Sequence, residues 1–314
     1  MPFSAVLADV TAASYAQALD ALRAALAPGT RVDDLEFLHD HGAVVAHVEG
    51  RITTRGRTAG HAFAPSSLRR TFATLVSLLR RGPPSPAAAA AIAAYAARMA
   101  AHAAVVDAAG EAQLLTPREA ALHLPWPTLA ALPAALLAAH DARPSLSAFQ
   151  DYLIVSLYTL QPPARLDYSP MRFLDGHLPP EDERCDTNYC VTSTELSTFV
   201  LNAYKTSAAY GRRCWTAPAR LHAALRAWRD TYNTSGWLLV SPRDGITPLS
   251  SPRLGQLLAA ATASVTGVPA GATAYRHSYI THARTGELPL AAKRSLAASM
   301  MHDVGTSEKY RRLG

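Results

Sequence analysis

Cysteine, lysine and long apolar runs are all scarce in this chain, and each scarcity excludes something. Three cysteines, Cys185, Cys190 and Cys214, cannot build a multi-bridge framework, and none of them forms the C-x-x-C pair of a zinc cluster. A disulfide-stapled scaffold is excluded, and a reducing compartment is expected. The most apolar stretch, residues 84–106, is mostly alanine and carries Arg98 and His102, so no membrane-spanning segment is expected. No basic run precedes an apolar block at the start of the chain, and Asp9 stands where a signal peptide needs apolar residues, so secretion is not expected. A glycine-rich phosphate loop and a nucleophile elbow are both missing, which sets aside P-loop nucleotide hydrolysis and Ser/His/Asp hydrolysis. What the chain does have is material for a core: 49% hydrophobic against 17% charged residues argues against disorder. Its 314 residues exceed the roughly 250–300 that one core fills, so two domains are expected.

Acidic residues are absent from two tracts. None lies between Gly50 and Asp107, where Arg51, Arg55, Arg57, Arg69, Arg70, Arg80, Arg81 and Arg98 fall. None lies between Leu196 and Arg229, a tract holding Lys205, Arg212, Arg213, Arg220 and Arg226. With a formal charge of +6, two basic tracts in different halves suit a grip on a polyanion from two sides, because each neutralised phosphate releases counterions. A solvated arginine-rich surface is the plainer alternative. The candidate phosphate contacts are Arg51, Arg55, Arg57, Arg69, Arg70, Arg80 and Arg81, with Arg212 and Arg213 from the second tract. Lysine appears only as Lys205, Lys293 and Lys309 among 30 basic residues. Arginine cannot release a proton near neutral pH, so a lysine against this background invites a chemical question.

Apolar spacing predicts helices over 14–26, closed by Pro28-Gly29, and over one or two segments within 33–49. Ser66-Ser67 is read as the cap of a helix over 68–81, with Leu68, Phe72, Leu75 and Leu79 on one face and Arg69, Arg70 and Arg80 facing outward. After Gly82-Pro83-Pro84, the alanine-rich 87–106 resumes helix. Residues 1–112 are therefore expected to form an all-helical bundle. A weak joint at 108–115 leads to Thr116-Pro117-Arg118-Glu119, a helix-start pattern that opens a second domain, 113–314. There, helices are expected over 145–160, 219–232, 252–265, 275–285, 290–301 and 306–313. Strands are expected over 188–191 and 198–204, with 210–215 as a hairpin return and 237–240 as a further short strand. The fold class is mainly α, the second domain being α+β with a small antiparallel sheet.

Five residues recur in order through that second domain: Arg165 after Pro162-Pro163, Lys205 on the hairpin, Arg276 beside His277, His302 after Met300-Met301, and Tyr310 near the end. Singly, each has a plain reading as a salt-bridge arginine, a solvated lysine or a packed histidine. Together they resemble the tyrosine recombinase (phage-type integrase) family, and the resemblance covers essentially the whole chain. The blocks LYTLQPPARLDY, NAYKTSAAYG, AYRHSYITH and MMHDVGTSEKYRRL are most similar to integrases of large DNA viruses and related mobile elements. Several co-ordered motifs make this more specific than any one of them.

The resemblance implies a core-binding bundle followed by a catalytic domain, closing as a clamp on duplex DNA, with four protomers on two sites. Tyr310 is then the nucleophile of a 3′-phosphotyrosyl intermediate, which conserves the phosphodiester bond energy, so no metal, ATP or other cofactor is needed. Arg165 and Arg276 are bidentate donors to the phosphorane-like oxygens, and His302 is a further donor. Lys205 is the general acid for the leaving 5′-oxygen. His277 is an orienting residue or simply a packed histidine. Three features depart from the family pattern: Thr273 stands three positions before Arg276 where histidine or lysine is common, His302 and Tyr310 are one position closer than usual, and Asp303 replaces a serine or threonine. Thr273 can bond phosphate but cannot shuttle a proton. The working location is wherever target DNA resides, nucleus or cytoplasm according to host. A metal hydrolase using His277, His282 and His302 is disfavoured, because His277 and His282 face different ways on one helix and have no acidic partner. A type IB topoisomerase and an inert DNA-binding relative are the remaining alternatives.

Overall fold

Helix follows apolar spacing through the first third of the chain. The computed structural model describes residues 9–31, 34–52, 60–115, 117–178, 186–233 and 235–312. The chain divides into two units, Met1–Ala112 and Gln113–Gly314. The first contains α1 (Asp9–Leu26), a 3-10 turn (Glu36–His39), α2 (His41–Gly50), α3 (Pro65–Leu79) and α4 (Pro86–Ala112). Asp33, expected to open a helix, lies outside the described residues. Asp40 does the capping instead, its carboxylate accepting from the Ala43 N–H at 3.0 Å. α3 also begins differently from the sequence expectation. Pro65 occupies its first turn, and Ser66 and Ser67 lie inside the helix without capping it, because proline's fixed φ starts a helix without a side-chain acceptor. Its expected face is buried: Leu68, Phe72, Leu75 and Leu79 form a core with Leu22, Leu38, Val44 and Tyr95. α4 is long and apolar enough by composition to cross a bilayer; here Ala91 and Tyr95 join the core, and the Tyr95 hydroxyl donates to the Leu38 carbonyl at 2.6 Å.

The second unit contains α5 (Pro117–Leu122), α6 (Trp126–Ala142), α7 (Leu146–Thr159), β1 (Arg172–Asp175), β2 (Tyr189–Thr192), β3 (Ser197–Leu201), α8 (Ser207–Tyr210), β4 (Arg213–Thr216), α9 (Ala219–Thr231), α10 (Ser251–Thr266), α11 (Ala272–Ala283), α12 (Leu290–Ser299) and α13 (Val304–Tyr310). Thr116 of the expected helix start lies outside the described residues. α7 is the centre of this unit. Ser145 caps it, and ten of its fourteen residues are buried, against Leu129, Leu221, Trp228, Leu254 and Tyr275 of the surrounding helices.

The sheet is small, as expected, but mixed. Its order is β1-β2-β3-β4, with β2, β3 and β4 antiparallel and β1 parallel to β2. The connection over 176–188 supplies the roughly dozen residues that a parallel crossover needs. Residues 237–240 are not a strand; they make only single bridges, Arg172 with Trp237 and Val240 with Pro248. The Gln150 side chain takes the place of a neighbouring strand, accepting from the Val240 N–H and donating to its carbonyl, both at 2.9 Å. The hairpin return begins at Arg213 and not at 210, because residues 207–210 wind into α8.

Candidate functional site

One cavity of about 1270 Å³ in the second unit has Arg165, Lys205, Thr273, Arg276, His277 and Tyr310 on its wall. His302 is not on the wall. It is buried behind, touching both Arg276 and Tyr310. The five residues of the sequence series thus come together, from a loop after α7, a hairpin, α11, the α12–α13 turn and the end of α13.

Arg165 sits on the loop that leaves α7, and the buried Tyr158 hydroxyl donates to its carbonyl at 2.7 Å, fixing the loop to the core helix. Its Nη1 is buried and makes no hydrogen bond, and the same is true of Asp167 Oδ2 two residues on. Burial raises the Asp167 carboxyl above its ordinary value, against the pull of Arg165 and Arg276. A cavity wall with unfilled donors is ready for an acceptor.

Arg276 is 1% exposed. Its guanidinium donates to the Pro163 carbonyl at 2.7 Å and the Met300 carbonyl at 3.1 Å, and to His302 Nε2. Nε is left without a partner. An arginine only donates, so His302 Nε2 must accept, and the imidazole is neutral with its proton on Nδ1. Burial first, then the charges of Arg276 and Arg165, push the His302 pKa down to about 3. Its Nδ1 is buried with no hydrogen bond, leaving one more unused donor.

The turn before His302 explains how that ring is aimed. Met301 is left-handed at φ 56; its N–H donates to Ala298 and the His302 N–H to Ala297. This is a Schellman closure of α12 with methionine where glycine is usual, at a cost of about 1–2 kcal/mol. Asp303 then caps α13, accepting from the Thr306 N–H at 2.7 Å. The departure at Asp303 is thereby accounted for, since serine, threonine and aspartate all serve as caps. The expected helix over 306–313 starts two residues early and ends at Tyr310; Leu313 lies outside the described residues.

Tyr310 is half-buried. The rings of His277 and His302 pack on it at centroid distances of 4.7 Å each, with the Arg276 guanidinium 5.2 Å from its centroid. His277 Nδ1 donates to the Tyr310 carbonyl at 2.7 Å, satisfying an end-of-helix acceptor. Burial lowers the His277 pKa, so the ring is a neutral donor. Both histidines are engaged with Tyr310, and among the described residues no three His, Cys, Asp or Glu side chains gather as a metal site.

Lys205 is exposed in the β3–β4 connection. Thr273 is exposed in the first turn of α11. A residue with no signal in the sequence joins the arginine loop to the lysine loop. Asn188, read as the first residue of a strand, instead precedes β2 and is 6% exposed. Its Nδ2 donates to the Asp167 carbonyl at 3.1 Å and the Ala203 carbonyl at 2.8 Å. Its Oδ1 accepts from the N–H groups of Asn202 at 3.0 Å and Ala203 at 2.9 Å.

Of the expected phosphate contacts, Arg69, Arg70, Arg80, Arg81 and Arg212 are exposed. Arg51 lies over the Phe63 ring and Arg213 over that of Tyr210. Arg55 and Arg57 lie outside the described residues.

No protein-family model matches the sequence, and no curated protein matches it. Among solved structures, the crystal structure of XerA recombinase is similar over 98% of this chain and 89% of that one, at 12% identity and a TM-score of 0.40. A likeness of that size assigns neither a family nor a residue's role.

Proposed function

We propose that the protein cuts and rejoins duplex DNA by transesterification, as a recombinase of the tyrosine class, with Tyr310 as the nucleophile. The observation that carries this is the gathering of a tyrosine, two arginines and a lysine on one cavity wall, with unused donors on Arg165, Arg276 and His302. A phosphodiester under attack gains charge on its non-bridging oxygens, and preorganised donors in a water-poor site stabilise that charge. Arg165 and Arg276 supply guanidinium donors. His302 is held neutral and donates from Nδ1. His277 fixes the backbone and ring of the nucleophile. Lys205 hands a proton to the departing 5′-oxygen. The exposed arginines of the first unit, with Arg212, hold the flanking phosphates. Strand exchange by four protomers on two sites belongs to the same reading.

The test is covalent capture. Wild type and Tyr310→Phe are incubated in EDTA with a pool of nicked duplex DNAs, and adducts are sought on a denaturing gel. An adduct with wild type only is expected. Its absence, with salt-sensitive binding retained, would make the protein a binder without this chemistry. Strand exchange between two captured sites, against relaxation of supercoiled DNA, then separates recombinase from topoisomerase.

A further inference from the structure

We infer that Asn188 is a positioning residue for proton transfer, setting Lys205 against the phosphate held by Arg165; this rests on the reaction proposed above. Lys205 itself is exposed, and among the described residues no hydrogen bond or ion pair holds its ammonium. Its long side chain has many rotamers, so its aim depends on where the backbone of its loop is placed. That backbone has no strand partner, because β3 ends at Leu201 and pairs across to Arg213. Asn188 supplies what the ladder does not. Its amide has two donors and two acceptor sites, and all four are used: two with the N–H groups of Asn202 and Ala203, one with the Ala203 carbonyl, and one with the Asp167 carbonyl. The first three grip the chain two and three residues before Lys205. The fourth grips the chain two residues after Arg165. One side chain therefore fixes the spacing between the group that binds the phosphate and the group that protonates the leaving oxygen.

Only a primary amide does this at that length. Aspartate keeps the two acceptor bonds but sets a carboxylate against two carbonyl oxygens, and alanine keeps none. In the step concerned, the Tyr310 Oη–P bond forms and its phenolic proton passes to solvent. The P–O5′ bond breaks, and a Lys205 Nζ proton moves to O5′. If sulfur replaces the 5′-bridging oxygen, the leaving thiolate needs no proton. A defect confined to proton delivery then disappears, while a defect in phosphate binding stays.

The experiment measures single-turnover adduct formation at saturating enzyme on the nicked duplex that wild type converts, made with either oxygen or sulfur at that bridge. Wild type, Asn188→Ala, Asn188→Asp, Lys205→Ala and Arg276→Ala are compared. Each protein is scored by its own sulfur-to-oxygen rate ratio, which cancels any loss of folded protein and keeps a poorly folding variant readable. We expect Lys205→Ala and both Asn188 variants to be slow on oxygen and restored on sulfur, with ratios raised roughly tenfold or more over wild type. Arg276→Ala should be slow on both. Asn188 variants with the wild-type ratio, whether slow or fast, would overturn the inference and leave the reaction standing. No wild-type adduct on either duplex would overturn the reaction, and the inference with it.

Discussion

α7 and α13 both carry a capped N-terminus, and there the likeness ends. α7 has ten of its fourteen residues buried. Of the seven residues of α13 only Ser307 is. α7 is held by apolar packing, whereas α13 is held by polar contacts: Arg284 to Glu308 at 2.5 Å, Lys293 to Glu308 at 3.8 Å, the Gln113 amide to the Glu308 carbonyl at 3.0 Å, and His277 to the Tyr310 carbonyl. The scaffold side of the cavity, which includes the Arg165 loop tied to Tyr158, is thus built into the core. The nucleophile's side is attached to it by a handful of directional bonds and by the two imidazole rings packed on Tyr310. Such an element can open while the rest stays folded, because local openings cost less than global unfolding.

The largest effect belongs to the core side. Leu153 is fully buried in α7, and Leu153→Ala should lower the unfolding free energy of the second unit by about 2–5 kcal/mol, through lost burial plus the cavity left behind. Denaturant unfolding measures it. A loss below about 1 kcal/mol would mean that α7 is not the centre of the unit, and the contrast with α13 would collapse.

That contrast also sorts what could be read from the sequence. α3 and α7 were legible because leucine and aromatic residues repeat at helical spacing, and burial enforces such a pattern. α13 was legible as a helix but misplaced by two residues, since its start depends on Asp303 and on the left-handed Met301, which no periodicity announces. β1 was invisible: Arg172-Phe173-Leu174-Asp175 sets two adjacent apolar residues between charges and so does not alternate. Residues 237–240 read as strand and are not, because side chains take up several of their backbone groups: Asn233 and Trp228 the carbonyls of Trp237 and Leu238, and Gln150, ninety positions earlier, both groups of Val240. For the site, the chemical types and order of Arg165, Lys205, Arg276, His302 and Tyr310 could be read. Asn188 could not, because its partners are backbone atoms of two distant loops. The packing of two imidazoles on Tyr310 could not either, since it depends on where α11 meets α13.

A second prediction concerns the histidine that links the two sides. His302 is held neutral by burial and by Arg276, with a folded pKa of about 3, against roughly 6.5 in an unfolded chain. Between those values the unfolded chain binds a proton that the folded one refuses. Stability is therefore intact above the upper value and falls as pH drops through the window, by at most about 1.4 kcal/mol per pH unit. Subtracting the pH–stability curve of His302→Gln from that of wild type isolates this slope from the carboxylates that titrate nearby. A flat difference between pH 7 and 4 would show that His302 takes up protons freely in the folded protein, and Arg276 would lose its acceptor in acid.

The smallest effect should be confined to α13. Glu308→Gln leaves the buried Arg284 guanidinium facing a neutral amide, and with Glu308 half-exposed the loss should be only about 1 kcal/mol. In hydrogen exchange that amounts to about fivefold faster opening of residues 304–312 with no change over α7. Acid should imitate the substitution in the wild type. Hydrogen bonding from Arg284 holds the Glu308 carboxyl below the ordinary carboxylate range, so this support is complete above that range and is lost as pH falls through the lowered value. The two treatments should not add, since a protonated carboxyl and an amide both lack the charge. If α13 exchanges no faster in Glu308→Gln, the bonds to the Glu308 and Tyr310 carbonyls from Gln113 and His277 hold the helix without the ion pair. If α7 loosens with it, the nucleophile's helix is part of the core after all, and opening it would require unfolding the scaffold that holds Arg165.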